Sequence, residues 1–118
     1  MKRTKRLFRK ARRFVGTKFP EVRGFRLYFG CPECDALHRT SSRSYMHVQH
    51  FDGVVCTAKA AKNLSTETLW GLFLHEFGHI IGGPTEFDAD WSIWQNFGIP
   101  IMYGDDDVQF VEMTSNRG

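Results

Sequence analysis

The 118-residue sequence predicts a single α+β domain: an N-terminal helix, a small three-stranded sheet, and two further helices joined by a tight turn. Three observations predict it. Apolar residues recur at helical spacing through a basic N-terminal segment; short aromatic and β-branched runs lie among glycines in the middle; and a long helical apolar pattern from Leu69 is cut by Gly82, Gly83 and Pro84. With 42% hydrophobic and 14% aromatic residues, the composition is that of a folded globular protein rather than a disordered one. A chain of this length buries only about 60 to 70% of its unfolded surface, enough for one modest core.

The elements follow in order. Leu7, Ala11, Phe14 and Val15 keep helical spacing, so residues 4–18 are expected to form an amphipathic helix closing before Pro20. Residues 1–20 are thus a basic helical segment, and residues 21–118 the core of the same domain. GFRLYFG, residues 24–30, reads as a strand between glycines. SYMHVQHF and GVVCTAK, residues 44–51 and 53–59, read as a hairpin turning at Asp52 and Gly53. Between them and the first strand, CPECDALHRTSSRS is polar and irregular and reads as a loop. Ser65 can cap a helix whose first turn carries Glu67, which suits the positive end of the helix dipole, and Leu69, Leu72, Phe73, Phe77 and Ile80 continue it. Thr85 can cap a second helix ending before Gly98, with Phe87, Trp91, Trp94 and Phe97 as its apolar positions. Trp91 and Trp94 are expected to pack between helices. The remainder, from Ile99, carries little helical pattern, and its Asp105–Asp107 run reads as solvated charge.

The net charge of +3 conceals a split, because eight of the first thirteen residues are Lys or Arg while the rest of the chain holds eight basic and thirteen acidic groups. A basic stretch at residues 2–13 fits a solvated helix face; it also fits a contact to nucleic-acid phosphates, or a targeting segment. No stretch approaches the roughly 18 apolar residues of a membrane span, and the N-terminus lacks the apolar run of a secretory signal, so a cytoplasmic protein is expected. Three cysteines, two of them in CPEC, do not suit the disulfide framework of a small secreted domain. They read as reduced thiols, as a redox pair, or as a structural metal site of Cys31, Cys34, His38 and Cys56. Cys56, within a strand, is expected in the core.

The most informative stretch is HEFGHIIGGPTEFDAD, residues 75–90. Residues four apart share a helix face, so His75 and His79 can aim imidazole nitrogens at one metal, with Glu76 beside them on the side of a bound water. Zinc takes four ligands, and hydrolytic sites use three from the protein and leave one position open. A third ligand is therefore required. The turn at Gly83 to Thr85 folds the next helix back, bringing Glu86 near His79 and Asp90 near His75. Asp88 is rotated about 200° from Glu86 and is the poorest choice. Glu86 and Asp90 both remain; whichever does not bind metal can orient a metal-bound imidazole through its other N–H.

These residues resemble the zincin metallopeptidases, specifically small gluzincin-like members in which HExxH is followed by ExxxD. Similar acidic pairs follow the zinc helix in HtpX-type and, more loosely, ImmA/IrrE-type proteases. The resemblance covers roughly residues 65–97 and implies a minimal zincin-like domain, Zn²⁺ as cofactor, Glu86 as third ligand, and Glu76 as general base in the hydrolysis of a protein or peptide substrate. It further implies that substrate adds as a strand along a sheet edge above the metal, for which GVVCTAK is the natural candidate. Tyr103, His47 and His50 are candidates for stabilising the oxyanion. The spacing from His79 to Glu86 is shorter than in these families, and Thr85 stands where metzincins place their third ligand. Two other classes fit the same residues: a zinc-bound binding or regulatory module without turnover, and a nucleic-acid-binding protein with structural zinc.

Overall fold

The computed structural model describes residues 2–40, 45–103 and 108–110; the Asp105–Asp107 run lies outside the described residues. The basic segment forms α1 (Lys2–Gly16), because its apolar residues fall on one stripe: Leu7, Phe8, Ala11 and Val15 are buried, while Lys2, Lys5, Arg6, Arg9, Lys10 and Arg13 face solvent. Two arginines of this helix serve the fold. Arg3 donates to the carbonyls of Lys62 and Leu64 and to Oγ1 of Thr66, at the start of the long helix α3 (Thr66–Gly82). Arg12 lies over the Phe8 ring and donates to the Phe25 carbonyl at 2.7 Å.

Ser65 and Thr85 cap α3 and α4 (Glu86–Phe97), each accepting a backbone N–H three residues on, from Thr68 and Asp88. Gly98, with φ 69°, ends α4 in the left-handed conformation that glycine adopts without strain. Phe8 of α1 packs on Phe73 and Phe77 of α3, at 5.6 and 5.7 Å between ring centroids, and Leu69, Leu72, Val15 and Ile93 complete the core around them. The helices α3 and α4 cross at very short range. A methyl group at Gly78 would overlap the Ala89 carbonyl, and one at Gly82 would overlap Ser92. The buried positions of α4 are consequently Ala89 and Ile93, and the expected burial of Trp91 does not hold. Its ring is 49% exposed and stacks on Phe87 at 6.1 Å, since a contact made through Ala89 turns that stripe of α4 outward.

The sheet contains β1 (Arg26–Phe29), β2 (Met46–Gln49) and β3 (Val54–Thr57) in the order β1-β3-β2. The hairpin of β2 and β3 is antiparallel, with Gly53 at φ 64° in its turn, and β1 runs parallel to β3. The strand within GVVCTAK is therefore central, and the expectation that it offers a free edge is overturned: both its sides are paired, and all four of its residues are buried. A second correction concerns CPECDALHRT, which is helical as α2 (Pro32–Thr40) rather than a loop. Its start and end carry the right residues: proline in the first turn with Glu33 and Asp35, and His38 and Arg39 in the last. Asp35 also accepts the Lys59 backbone N–H at 2.8 Å, holding α2 beside the end of β3.

The two sheet faces are divided. Val55 belongs to the main core with α1 and α3, while Val54 and Cys56 pack with Cys31, Cys34 and Ala58 in a separate cluster. After α4 the chain forms an antiparallel pair, β4 (Ile101–Tyr103) with β5 (Val108–Phe110). Among the described residues, no helix is long and apolar enough to cross a membrane.

Candidate metal centres

The last turns of α3 and the first turns of α4 bring together His75, Glu76, His79, Glu86 and Asp90. Oε1 of Glu86 lies 3.2 Å from Nε2 of His75 and 2.8 Å from Nε2 of His79, so both imidazoles point their Nε2 atoms at one place. The rings are nearly perpendicular, with centroids 4.7 Å apart. Their other nitrogens are also held: Nδ1 of His75 lies 2.6 Å from Oδ1 of Asp90, and Nδ1 of His79 lies 3.0 Å from the Gly83 carbonyl. Gly83, at φ 143°, is in a backbone region that favours glycine, and the turn it makes aims this carbonyl at the ring. One ligand atom each from His75, His79 and Glu86 fall within 4.8 Å of one another, a spacing a single metal ion can draw together. Asp88 stays apart from this group, its carboxylate lying against Gly83.

Electrostatics follow from burial and these contacts. Burial, the largest influence, pushes the Glu76 carboxyl up to about 7 against the opposing pull of His75 and His79; the residue is only 4% exposed. Burial opposes charge on His75, yet hydrogen bonds with Asp90 and Glu86 raise it to about 9. Glu86 raises His79 as well. Hydrogen bonds from the same two imidazoles hold Glu86 down at about 2. Positive charge is thus favoured where the imidazoles converge, and a metal ion can take the place of their protons there.

A cavity of about 320 Å³ opens at this group, lined by Met46, His47, Val48, His50, Glu76, His79, Pro84 and Glu86. Its far wall is β2, the border strand of the sheet on that side. His47 and His50 therefore stand by the cleft, whereas Tyr103 lies in β4.

A second convergence of donors lies on the opposite sheet face. One ligand atom each from Cys31, Cys34 and His47 lie within 4.8 Å of one another, and Sγ of Cys34 is 3.0 Å from Nδ1 of His47. His38, expected with these cysteines, is elsewhere: its ring lies on Tyr45 at 4.4 Å, and its buried Nδ1 has no hydrogen-bond partner. Cys56 is fully buried, as expected, and its thiol interacts with that of Cys31. Burial raises the thiols of Cys34 and Cys56, the latter to about 12. His47 is the site residue that sequence reasoning placed by the cleft alone. The signal that could have found it is hairpin register, which sets His47 directly opposite Cys56.

No protein family, curated protein or solved structure matches the chain.

Proposed function

We propose that the protein is a zinc-dependent peptidase of minimal zincin type, with His75, His79 and Glu86 as metal ligands and Glu76 as general base. One observation carries the reading: two Nε2 atoms and a carboxylate oxygen converge at the mouth of a cleft, beside a buried carboxyl whose proton affinity lies near neutrality. The donor set, two imidazoles and one carboxylate with a cleft on the open side, suits zinc. Zinc held there would polarise a scissile carbonyl and acidify a water molecule.

The chain's own residues supply the rest. Glu76, at about 7, is poised both to accept a proton from the attacking water and to return it to the leaving amine, which is what a base working near neutral pH must do. Asp90 and the Gly83 carbonyl fix the orientation of the two imidazoles. Glu86 stays ionised across the physiological range. An extended substrate would add along β2, since β3 has no free side and β2 forms the wall of the cavity.

The test is a comparison of wild type with Glu76→Gln for bound zinc and for digestion of a peptide library. The expected result is equal zinc, with hydrolysis reduced by about 10² to 10⁴-fold in the variant. Wild-type protein that holds zinc yet cleaves no peptide would favour a binding module, and a Glu76→Gln variant that cleaves at the wild-type rate would remove the mechanism.

A further inference from the structure

We propose that Cys31, Cys34, His47 and Cys56 form a second zinc site, closed and structural, which fastens the β2 wall of the cleft to α2 and β3. This inference does not depend on the cleft being a peptidase.

Its basis is the convergence of three donors, Cys31, Cys34 and His47, with Cys56 packed in the same buried cluster. Zinc–sulfur bonds of about 2.3 Å and zinc–nitrogen bonds of about 2.0 Å in a tetrahedron set the donor atoms roughly 3.5 to 4 Å apart. The donors of Cys31, Cys34 and His47 already lie within 4.8 Å of one another, and the closest pair stands at 3.0 Å. Cys56 supplies the fourth. It faces His47 across the β2–β3 ladder, which puts both side chains on the same sheet face, and it packs with Cys31 and Cys34 in one buried cluster. Cys31 in turn interacts with Cys34, so the three sulfurs form one cluster.

The backbone around the cluster is fixed independently of any metal. The Cys31 N–H donates to the Thr57 carbonyl at 3.1 Å, and the Cys31 carbonyl accepts from the Asp35 N–H at 2.9 Å, so the C-x-x-C turn is tied to β3 and to the first turn of α2. All three cysteines are buried, and with His47 they make a full set of four protein donors; such closed sets are the mark of structural zinc. Thiolates and imidazole select zinc over magnesium or calcium. Binding replaces the thiol protons, which pass to solvent. A Cys31–Cys34 disulfide would use just two of the four donors and leave the contacts of Cys56 and His47 without purpose. The outer nitrogen of His47 is also provided for: the Gln49 amide lies 3.3 Å from its Nε2 and, turned over, presents oxygen to the N–H that remains when Nδ1 binds metal.

His47 links the cluster to function, since the same residue lines the cleft. Zinc on its Nδ1 would set the position of β2, and so of the wall opposite Glu76 and His79.

The experiment is cobalt substitution of the reduced, full-length protein. Wild type should show an intense near-ultraviolet thiolate-to-cobalt charge-transfer band, and His75→Ala, which removes a ligand of the other centre, should keep it. Cys34→Ser should weaken it, because one of three thiolates is gone. If that variant does not fold, His47→Ala, at a partly exposed position, gives the second reading: the band should persist with cobalt affinity reduced at least about tenfold, because loss of a direct ligand costs no less than loss of a partner that only orients one. A wild-type protein without the charge-transfer band, a band abolished by His75→Ala, or an unchanged affinity in His47→Ala would each overturn the proposal. A disulfide joining Cys31 to Cys34 in the protein as purified would do the same. Loss of peptidase activity in Glu76→Gln leaves every one of these readings untouched.

Discussion

Oδ1 of Asp90 stands 2.6 Å from Nδ1 of His75, and this contact turns the opposite nitrogen of the ring toward Glu86. Asp90 thus acts on the convergence point through the imidazole, while Glu86 stands at the point itself. Asp90→Asn should leave zinc bound but weaken its affinity about 10 to 100-fold, the usual cost of losing such a partner. Affinity measured by competition with a chelator checks this. Full loss of zinc in Asp90→Asn, with zinc retained in Glu86→Ala, would exchange their roles.

His75→Ala, His79→Ala and Glu86→Ala should each strip zinc from the cleft, because two protein donors hold zinc far less well than three. Metal analysis of the three variants decides it. Zinc in the Cys31–His47 cluster would remain in all of them, so the readout is the loss of one zinc and not of every zinc.

Gly78→Ala should separate α3 from α4, since the new methyl meets the backbone carbonyl of Ala89 and not a movable side chain. Overpacking of this kind costs about 1 to 3 kcal/mol. Because the crossing also carries Glu86 and Asp90 toward the histidines, zinc affinity should fall together with stability. Unchanged affinity in a destabilised Gly78→Ala protein would show that the crossing and the metal site are uncoupled.

The stability of the metal-free protein and the increment that zinc adds to it should change with pH in opposite directions. In the metal-free protein His75 is raised from 6.5 to about 9, so its contribution is fully present below 6.5 and is lost as the pH rises through 9. Glu76, raised from 4.5 to about 7, acts in the same sense over a lower window. Glu86, lowered from 4.5 to about 2, contributes above 4.5 and loses that contribution as the pH falls through 2. Metal-free protein should therefore melt at progressively lower temperature from about pH 5 to pH 9, whereas the increment from zinc should grow, by about tenfold in affinity per pH unit for each imidazole proton displaced. Thermal melts with zinc and with chelator across this range test it; parallel curves would contradict it.

Phe8→Ala should cost about 3 to 5 kcal/mol, because its ring fills the space between α1 and the two α3 phenylalanines. Denaturant unfolding measures this. The folded variant should keep its zinc, since the rings on which Phe8 packs, Phe73 and Phe77, are not among the proposed ligands.

Much of the helical part was legible because its signals are local. Ser65 and Thr85 mark the starts of α3 and α4 directly, and four-residue spacing puts His75 and His79 on one face without reference to the rest of the chain. The sheet was less legible, since the parallel pairing of β1 with β3 leaves no mark on either strand and reverses which strand lies at the border. Helix α2 went unread because its one buried residue, Cys34, sets up no apolar period, although Pro32, Glu33 and Asp35 carried the capping signal. The Cys31–His47 grouping depended on the same kind of detail. A two-residue turn at Asp52 and Gly53 would set His47 opposite Ala58, but the turn spans His50 to Gly53, and that longer turn slides His47 to Cys56. Burial of Trp91 failed as an expectation because the helix crossing is dictated by Gly78 and Ala89, and a glycine within HEFGH gives no hint of what approaches it.

The close crossing of α3 and α4 also bears on the order in which the chain can assemble. His75 and Asp90 are 15 residues apart, and His75 and Glu86 are 11, so a single short helical hairpin contains every donor of the cleft site. Arg3 must reach 63 residues along the chain to Thr66, and β1 finds β3 only after the intervening α2 and β2 have been passed over. Closing such distant contacts is slow compared with forming a local hairpin. On the proposed ligand set, zinc present during refolding would have a binding partner before the sheet exists, and metal capture should precede the burial of the aromatic core in stopped-flow records that follow both.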